Sequence, residues 1–196
     1  MKYKAIVFDF FGVISSEVAP FWFEKYLPGP SPFELKEKYV HPADRGEISD
    51  KELFYTLAKL ASITPEKVRD EWLSMAKIDK SIVTLILVLK KKFKIILCSN
   101  APSEFLREII SGNKLENLFD FSIISSEIHA AKPDLRVFKK IFEVTRYQAD
   151  EIVFVDDNSE YTLAAETLGI KSIRFQDANQ LIENFNLLGI SLEKIK

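Results

Sequence analysis

The feature that most constrains this chain is a rhythm of short apolar runs that end in residues able to do chemistry. Ala5-Ile6-Val7-Phe8 runs into Asp9, with Gly12 close behind. Lys94-Ile95-Ile96-Leu97-Cys98 stops at Ser99-Asn100, and Glu151-Ile152-Val153-Phe154-Val155 stops at Asp156-Asp157. Phe121-Ser122-Ile123-Ile124 and the shorter Lys171-Ser172-Ile173-Arg174-Phe175 complete the series. Unbroken apolar runs of this length read as strands covered on both faces, the signature of a parallel sheet. Amphipathic stretches of helical length lie between the later runs, at residues 103–111, 134–145 and 160–168; in the second, Val137, Phe138, Ile141 and Phe142 share one stripe. Strands alternating with helices predict right-handed βαβ units and a Rossmann-like, doubly wound α/β sheet.

One segment breaks the rhythm. Residues 17–78 contain no comparable strand run and read instead as helices over 34–39, 50–60 and 65–76. Ser49 or Asp50 is the N-cap of the second, and Thr64 followed by Pro65 opens the third. Pro28, Pro30 and Pro32, with Gly29 among them, mark a stiff turn. An insertion directly after the first strand predicts a helical cap domain, residues 17–78, over an α/β core of residues 1–16 and 79–196.

Charge and cysteine content narrow the partners. With 27 Lys and Arg against 29 Asp and Glu, the net charge of −2 offers no footprint for nucleic acid or an anionic membrane. One cysteine, Cys98, and two histidines leave no disulfide framework and no Cys- or His-rich zinc site. The nonpolar run at 82–89 is interrupted by Thr84 and falls far short of the roughly 20 residues of a membrane span. The first residues reach Asp9 too soon for a signal-peptide apolar region. A cytoplasmic protein is expected, monomer or homodimer, with residues 21–23 or the apolar 187–190 as candidate dimer contacts.

In an open α/β sheet, ligands bind beyond the carboxyl ends of the strands. Asp9, Ser99, Asn100, Asp156 and Asp157 all stand at such ends, and Lys132 follows the third run by a short loop. Carboxylates gathered this closely need a counter-charge, and an all-oxygen set suits Mg²⁺ better than zinc. A carboxylate, a divalent ion, a hydroxyl and a lysine in one pocket suit phosphoryl transfer, with Asp9 as covalent nucleophile.

Phe8-Asp9-Phe10-Phe11-Gly12-Val13, Leu97-Cys98-Ser99-Asn100, Ala131-Lys132-Pro133-Asp134 and Val155-Asp156-Asp157-Asn158 resemble, in order, the four motifs of the haloacid dehalogenase-like (HAD) hydrolase superfamily. The insertion resembles that family's C1-type cap. The resemblance implies that Asp9 is the nucleophile, and that Asp9, the Phe11 carbonyl and Asp157 bind Mg²⁺, with Asp156 a direct or water-mediated ligand. It also implies that Phe11, Gly12, Ser99 and Asn100 surround the phosphoryl group, with Ser99 and the Asn100 amide hydrogen-bonding its oxygens and Lys132 pairing with Asp9 and the substrate.

Two departures carry information. The family's phosphatases usually have a second aspartate, an acid and then a base, where this chain has Phe11; phenylalanine donates no proton, and general acid–base catalysis is worth about 10²–10⁴-fold. His129 stands where glycine is common. Glu17, His129 or a cap residue such as His41 are the candidate substitute acids. The resemblance implies a Mg²⁺-dependent phosphatase acting on a small phosphorylated metabolite. Its rivals are a weakly catalytic phosphate-ester binding or regulatory protein, and a haloacid dehalogenase. Dehalogenases of the family also lack the second aspartate, but they work without metal and typically without the acidic pair seen at Asp156-Asp157. Cys98 reads as core, and Phe21, Trp22 and Phe23 as residues placed to face the pocket.

Overall fold

The computed structural model describes residues 2–191. Five parallel strands form one sheet in the order β3-β2-β1-β4-β5: β1 (Ala5–Phe8), β2 (Lys94–Ser99), β3 (Phe121–Ile124), β4 (Ile152–Asp156) and β5 (Lys171–Arg174). The chain winds outward from β1 in both directions, so the switch point lies between β1 and β4, where Phe8 pairs with Val155. Every residue of β1 and β4 is buried, and the two faces of the sheet divide the strand residues by alternation. Ile6, Phe8, Leu97 and Val155 enter one apolar cluster; Val7, Ile96, Cys98 and Phe154 enter the other. That alternation explains why the β1 run Ala5–Phe8 and the β4 run Ile152–Val155 carry no polar residue: each face needs its own apolar set.

The second face is covered by α9 (Leu135–Thr145) and α10 (Ser159–Thr167), through Val137, Phe138, Ile141 and Ala165. The first is covered by α6 (Lys80–Leu89), α7 (Ser103–Gly112) and α11 (Ala178–Leu187). Between β1 and α6 lie α1 (Ala19–Tyr26), α2 (Pro32–Leu35), α3 (His41–Asp44), α4 (Asp50–Ala61) and α5 (Pro65–Met75). Their apolar residues, Trp22, Phe23, Leu53, Leu57, Val68 and Trp72 among them, belong to the same cluster as Phe8 and Leu97. The inserted helices therefore pack against the sheet's own core rather than around a separate one.

Local chemistry sets the helix ends. Ser49 Oγ accepts from the Glu52 amide at 3.2 Å while the Ser49 amide donates to Glu52 Oε2 at 2.8 Å, a reciprocal box that starts α4. Asp50 instead accepts from the Phe105 amide at 2.8 Å and ties α4 to α7. Thr64 Oγ1 accepts from the Lys67 amide at 3.2 Å, with Pro65 in the first turn of α5. The helix expected at 34–39 is longer and irregular: α2 passes into a widened turn over Lys36–Val40, closed by the His41 amide on the Lys36 carbonyl, and then into α3. Pro42 lacks the N–H that a regular helix would use, and the chain widens in the turn before it.

Two expectations are corrected. Trp22 and Phe23 point into the core with no exposed surface, and only Phe21, 58% exposed, faces out, so this triplet does not line the pocket. In the 187–190 segment Ile190 is buried and Leu188 packs on the core, which leaves Leu187 as its one exposed large apolar side chain. No helix among the described residues is long and apolar enough to cross a membrane.

Candidate active site

The carboxyl ends of β1, β2 and β4 meet beneath a cavity of about 100 Å³ roofed by the inserted helices. Asp9, leaving β1, has one oxygen fixed: Oδ1 accepts from the Phe10 amide at 2.7 Å and lies 3.0 Å from Lys132 Nζ. Oδ2 accepts no hydrogen bond from a described residue. The next strand, β4, delivers Asp156, whose Oδ2 meets Lys132 Nζ at 2.5 Å and whose Oδ1 accepts from the Asn158 amide at 2.9 Å. Lys132 and Asp156 are fully buried in their side chains.

Burial opposes the charge on Lys132, but Asp156 and Asp9 outweigh it and hold the ammonium above its ordinary pKa. Burial pushes the Asp156 carboxyl upward, with Lys132 pulling against it. Lys132 is therefore a fixed cation between two carboxylates. Its placement comes from Asn100, whose Oδ1 accepts from the Lys132 amide at 2.8 Å and whose Nδ2 donates to the Lys132 carbonyl at 2.9 Å. The Asn100 side chain is thus engaged by the lysine's backbone and, through Nδ2 at 3.4 Å, by the Tyr161 hydroxyl.

Asp9, Asp156 and Asp157 each offer an oxygen within 4.8 Å of the others. Burial, then Asp9 and Glu17, pushes the Asp157 carboxyl up to about 6. Three carboxylates face one lysine, a deficit of positive charge that an oxygen-liganded divalent cation fits. Gly12 permits the arrangement, since a Cβ there would stand 2.5 Å from Asp157 Oδ2 and its φ of +84° favours glycine. Ser99, at the end of β2, is 2% exposed and its Oγ has no partner. The hydroxyl is enclosed, and Ser99 is not among the residues that line the cavity.

Phe11 forms an apolar wall. Its ring stacks on Phe105 with centroids 6.2 Å apart and planes 7° from parallel, and Phe54 and Trp72 pack on Phe105 in turn. The inserted segment supplies the other charged groups. Lys36 pairs with Glu17 at 3.2 Å, and His41 Nδ1 lies 2.7 Å from Glu37. Burial lowers the His41 pKa despite Glu37, which makes the ring a poor acid at neutral pH. Of the expected substitute acids, Glu17 and His41 line the cavity; His129 does not, because its ring lies against Gly46 in the left-handed turn that ends the short helix α8 (Ser125–Ile128). Cys98 is buried in the core and its thiol is pushed up to about 12 by burial. Lys36, Asp44, Trp72, Phe105 and Tyr161 also line the cavity and were not legible as site residues, since each reaches it only through the packing of distant elements.

Residues 23–175 match the haloacid dehalogenase-like hydrolase family, about four-fifths of the chain. The chain belongs to that family. The likeness extends to drimenol cyclase drtB of Aspergillus calidoustus, 23% identical over 159 residues, 77% of this chain and 30% of that protein. The chain thus spans under a third of that curated relative. A HAD family enzyme of Bacteroides thetaiotaomicron, solved with magnesium and inorganic phosphate, superposes with a TM-score of 0.76 at 22% identity, covering 91% of this chain and 98% of that one. The L-2-haloacid dehalogenase of Xanthobacter autotrophicus, solved with chloropropionic acid covalently bound, gives 0.65 at 20% identity, covering 96% and 84%. At these identities the structures establish a shared HAD fold, a Rossmann-like parallel sheet.

Proposed function

We propose that this HAD-like hydrolase is a Mg²⁺-dependent phosphatase of a small phosphorylated metabolite, working in the cytoplasm through a phosphoryl group carried on Asp9. The observation that carries this reading is the cluster of Asp9, Asp156 and Asp157 around a single lysine. Asp9, Asp157 and the Phe11 carbonyl would hold Mg²⁺, and Asp156, with both oxygens already engaged, would reach it through water. When bound, the ion neutralises charge on the phosphoryl oxygens. The magnesium and phosphate bound by the Bacteroides relative support the same assignment.

In this reading Lys132 and the Phe10 amide hold Asp9 Oδ1, so Oδ2 is presented to phosphorus. Ser99 Oγ donates to a phosphoryl oxygen, and Lys132 balances the charge that develops there. Residues 17–78 act as a cap that limits the cavity and excludes water. The dehalogenase reading is favoured by Phe11 alone, and an acidic cluster of this density makes a poor site for a carboxylate substrate without a cation.

The test is hydrolysis of 4-nitrophenyl phosphate with and without Mg²⁺, comparing the wild type with Asp9→Asn. Loss of Mg²⁺ or of the Asp9 carboxylate is expected to lower kcat by at least about 10³-fold. Turnover that survives Asp9→Asn contradicts the reading. Phosphate and Mg²⁺ binding with no turnover in the wild type assigns the protein to phosphate-ester binding instead.

A further inference from the structure

The alkyl leaving group of a phosphomonoester departs as an alkoxide and needs a proton, yet the cavity-lining residue two positions after Asp9 is Phe11, which has none to give. Few groups in the cavity are able to supply one. Glu17 is engaged by Lys36, His41 is held by Glu37, and Tyr161 is pushed up to about 12 by burial, which makes it a weak donor. Asp44, at the end of α3, differs from all of these. It lines the same cavity as Asp9, is 5% exposed, and accepts no hydrogen bond and makes no ion pair with any described residue. A carboxyl group buried without a partner keeps its proton at low cost and gives it up when a stronger base arrives.

We propose that Asp44, reaching in from the inserted helices, is the catalytic acid and base that replaces the aspartate absent at Phe11; this inference rests on the phosphatase reading. In the first step an Asp9 oxygen bonds to phosphorus, the bond from phosphorus to the ester oxygen breaks, and the Asp44 proton passes to the leaving oxygen to give the free alcohol. In the second, the Asp44 carboxylate takes a proton from water as the water oxygen bonds to phosphorus. The bond to Asp9 then breaks, inorganic phosphate leaves, and both carboxyl groups return to their starting states. Burial holds the Asp44 carboxyl up at about 7; Lys36 and Arg45 pull it down, Glu17 and Asp9 push it up, and Tyr161 lines the same cavity. A group poised there serves both directions of transfer near neutral pH.

The experiment compares 4-nitrophenyl phosphate, whose leaving group needs no proton, with a series of alkyl phosphates, using the Mg²⁺-loaded enzyme. In the wild type kcat/KM is expected to depend weakly on leaving-group basicity. Asp44→Asn is expected to lower kcat/KM for the alkyl phosphates by about 10²-fold or more and for 4-nitrophenyl phosphate by less than about tenfold. Adding Phe11→Asp to Asp44→Asn is expected to restore alkyl phosphate turnover. A steep dependence in the wild type itself overturns the assignment without any variant. So does an Asp44→Asn enzyme that slows both substrate types equally, the result of a merely structural role. Asp9-dependent hydrolysis that is indifferent to Asp44 overturns this inference alone, whereas absence of Asp9-dependent hydrolysis overturns the phosphatase reading with it.

Discussion

The two rims of the cavity hold their polar groups in different ways. On the sheet side three charged groups are held by partners: Asp9 by the Phe10 amide, Asp156 by the Asn158 amide, and Lys132 by both carboxylates and by the Asn100 clamp. On the inserted side the charges pair among themselves, Lys36 with Glu17 and His41 with Glu37, and Asp44 pairs with no described residue. Adjacent parallel strands place their ends within a few ångströms of one another, so in the proposed phosphatase the attack on phosphorus belongs where backbone geometry sets positions. In that proposal the leaving group varies with substrate, and the groups that would meet it come from the inserted helices.

That contrast breaks first at Lys132. Lys132→Met removes the cation shared by two buried carboxylates and is expected to cost about 3–5 kcal/mol of stability, read from urea unfolding without added metal. An unchanged midpoint would mean that the sheet rim is no more tightly held than the cap rim.

Asp44 should behave in the opposite way. Its pKa is raised from 3.8 to about 7 on folding, so the stability linked to its proton is complete below about pH 4 and is lost as pH rises through about 7. Asp44→Asn escapes that loss and should be more stable than the wild type by about 4 kcal/mol at pH 8, with the gap closing toward pH 4. Melting curves at the two pH values decide it; a gap of the same size at both would mean that the carboxyl is not held protonated by the fold.

The smallest expected effect is at Gly12, where Gly12→Ala sets a methyl against the Asp157 carboxylate and strains a left-handed residue. A 10–100-fold loss of Mg²⁺ affinity is expected by calorimetry, about 1.4–3 kcal/mol. Retained affinity would remove Asp157 from the ligand set.

Much of this is written in the sequence, and the reason is local. A strand covered on both faces must be apolar throughout, so the residue at which the run stops is visible, and Asp9, Ser99, Asp156 and Lys132 were legible as one edge. Helix starts were legible for the same reason, because Ser49 and Thr64 bond to amides three residues on. Long-range packing was not. An eight-residue helix with three consecutive aromatics gives no sign that Trp22 and Phe23 turn inward, and nothing around Pro42 shows that a widened turn brings Lys36 and Asp44 to the cavity. The Asn100 clamp on Lys132 spans 32 residues and leaves no pattern at either end.

The central claim is that Asp9 carries the phosphoryl group. Rapid-quench mixing of the Mg²⁺-loaded enzyme with an aryl phosphate, followed by acid trapping and mass analysis of the peptide containing residue 9, tests it directly. The account predicts a phosphorylated Asp9 that forms faster than steady-state turnover and is absent in Asp9→Asn. Product release with an unmodified Asp9 at every time point, or label on another residue, would contradict it.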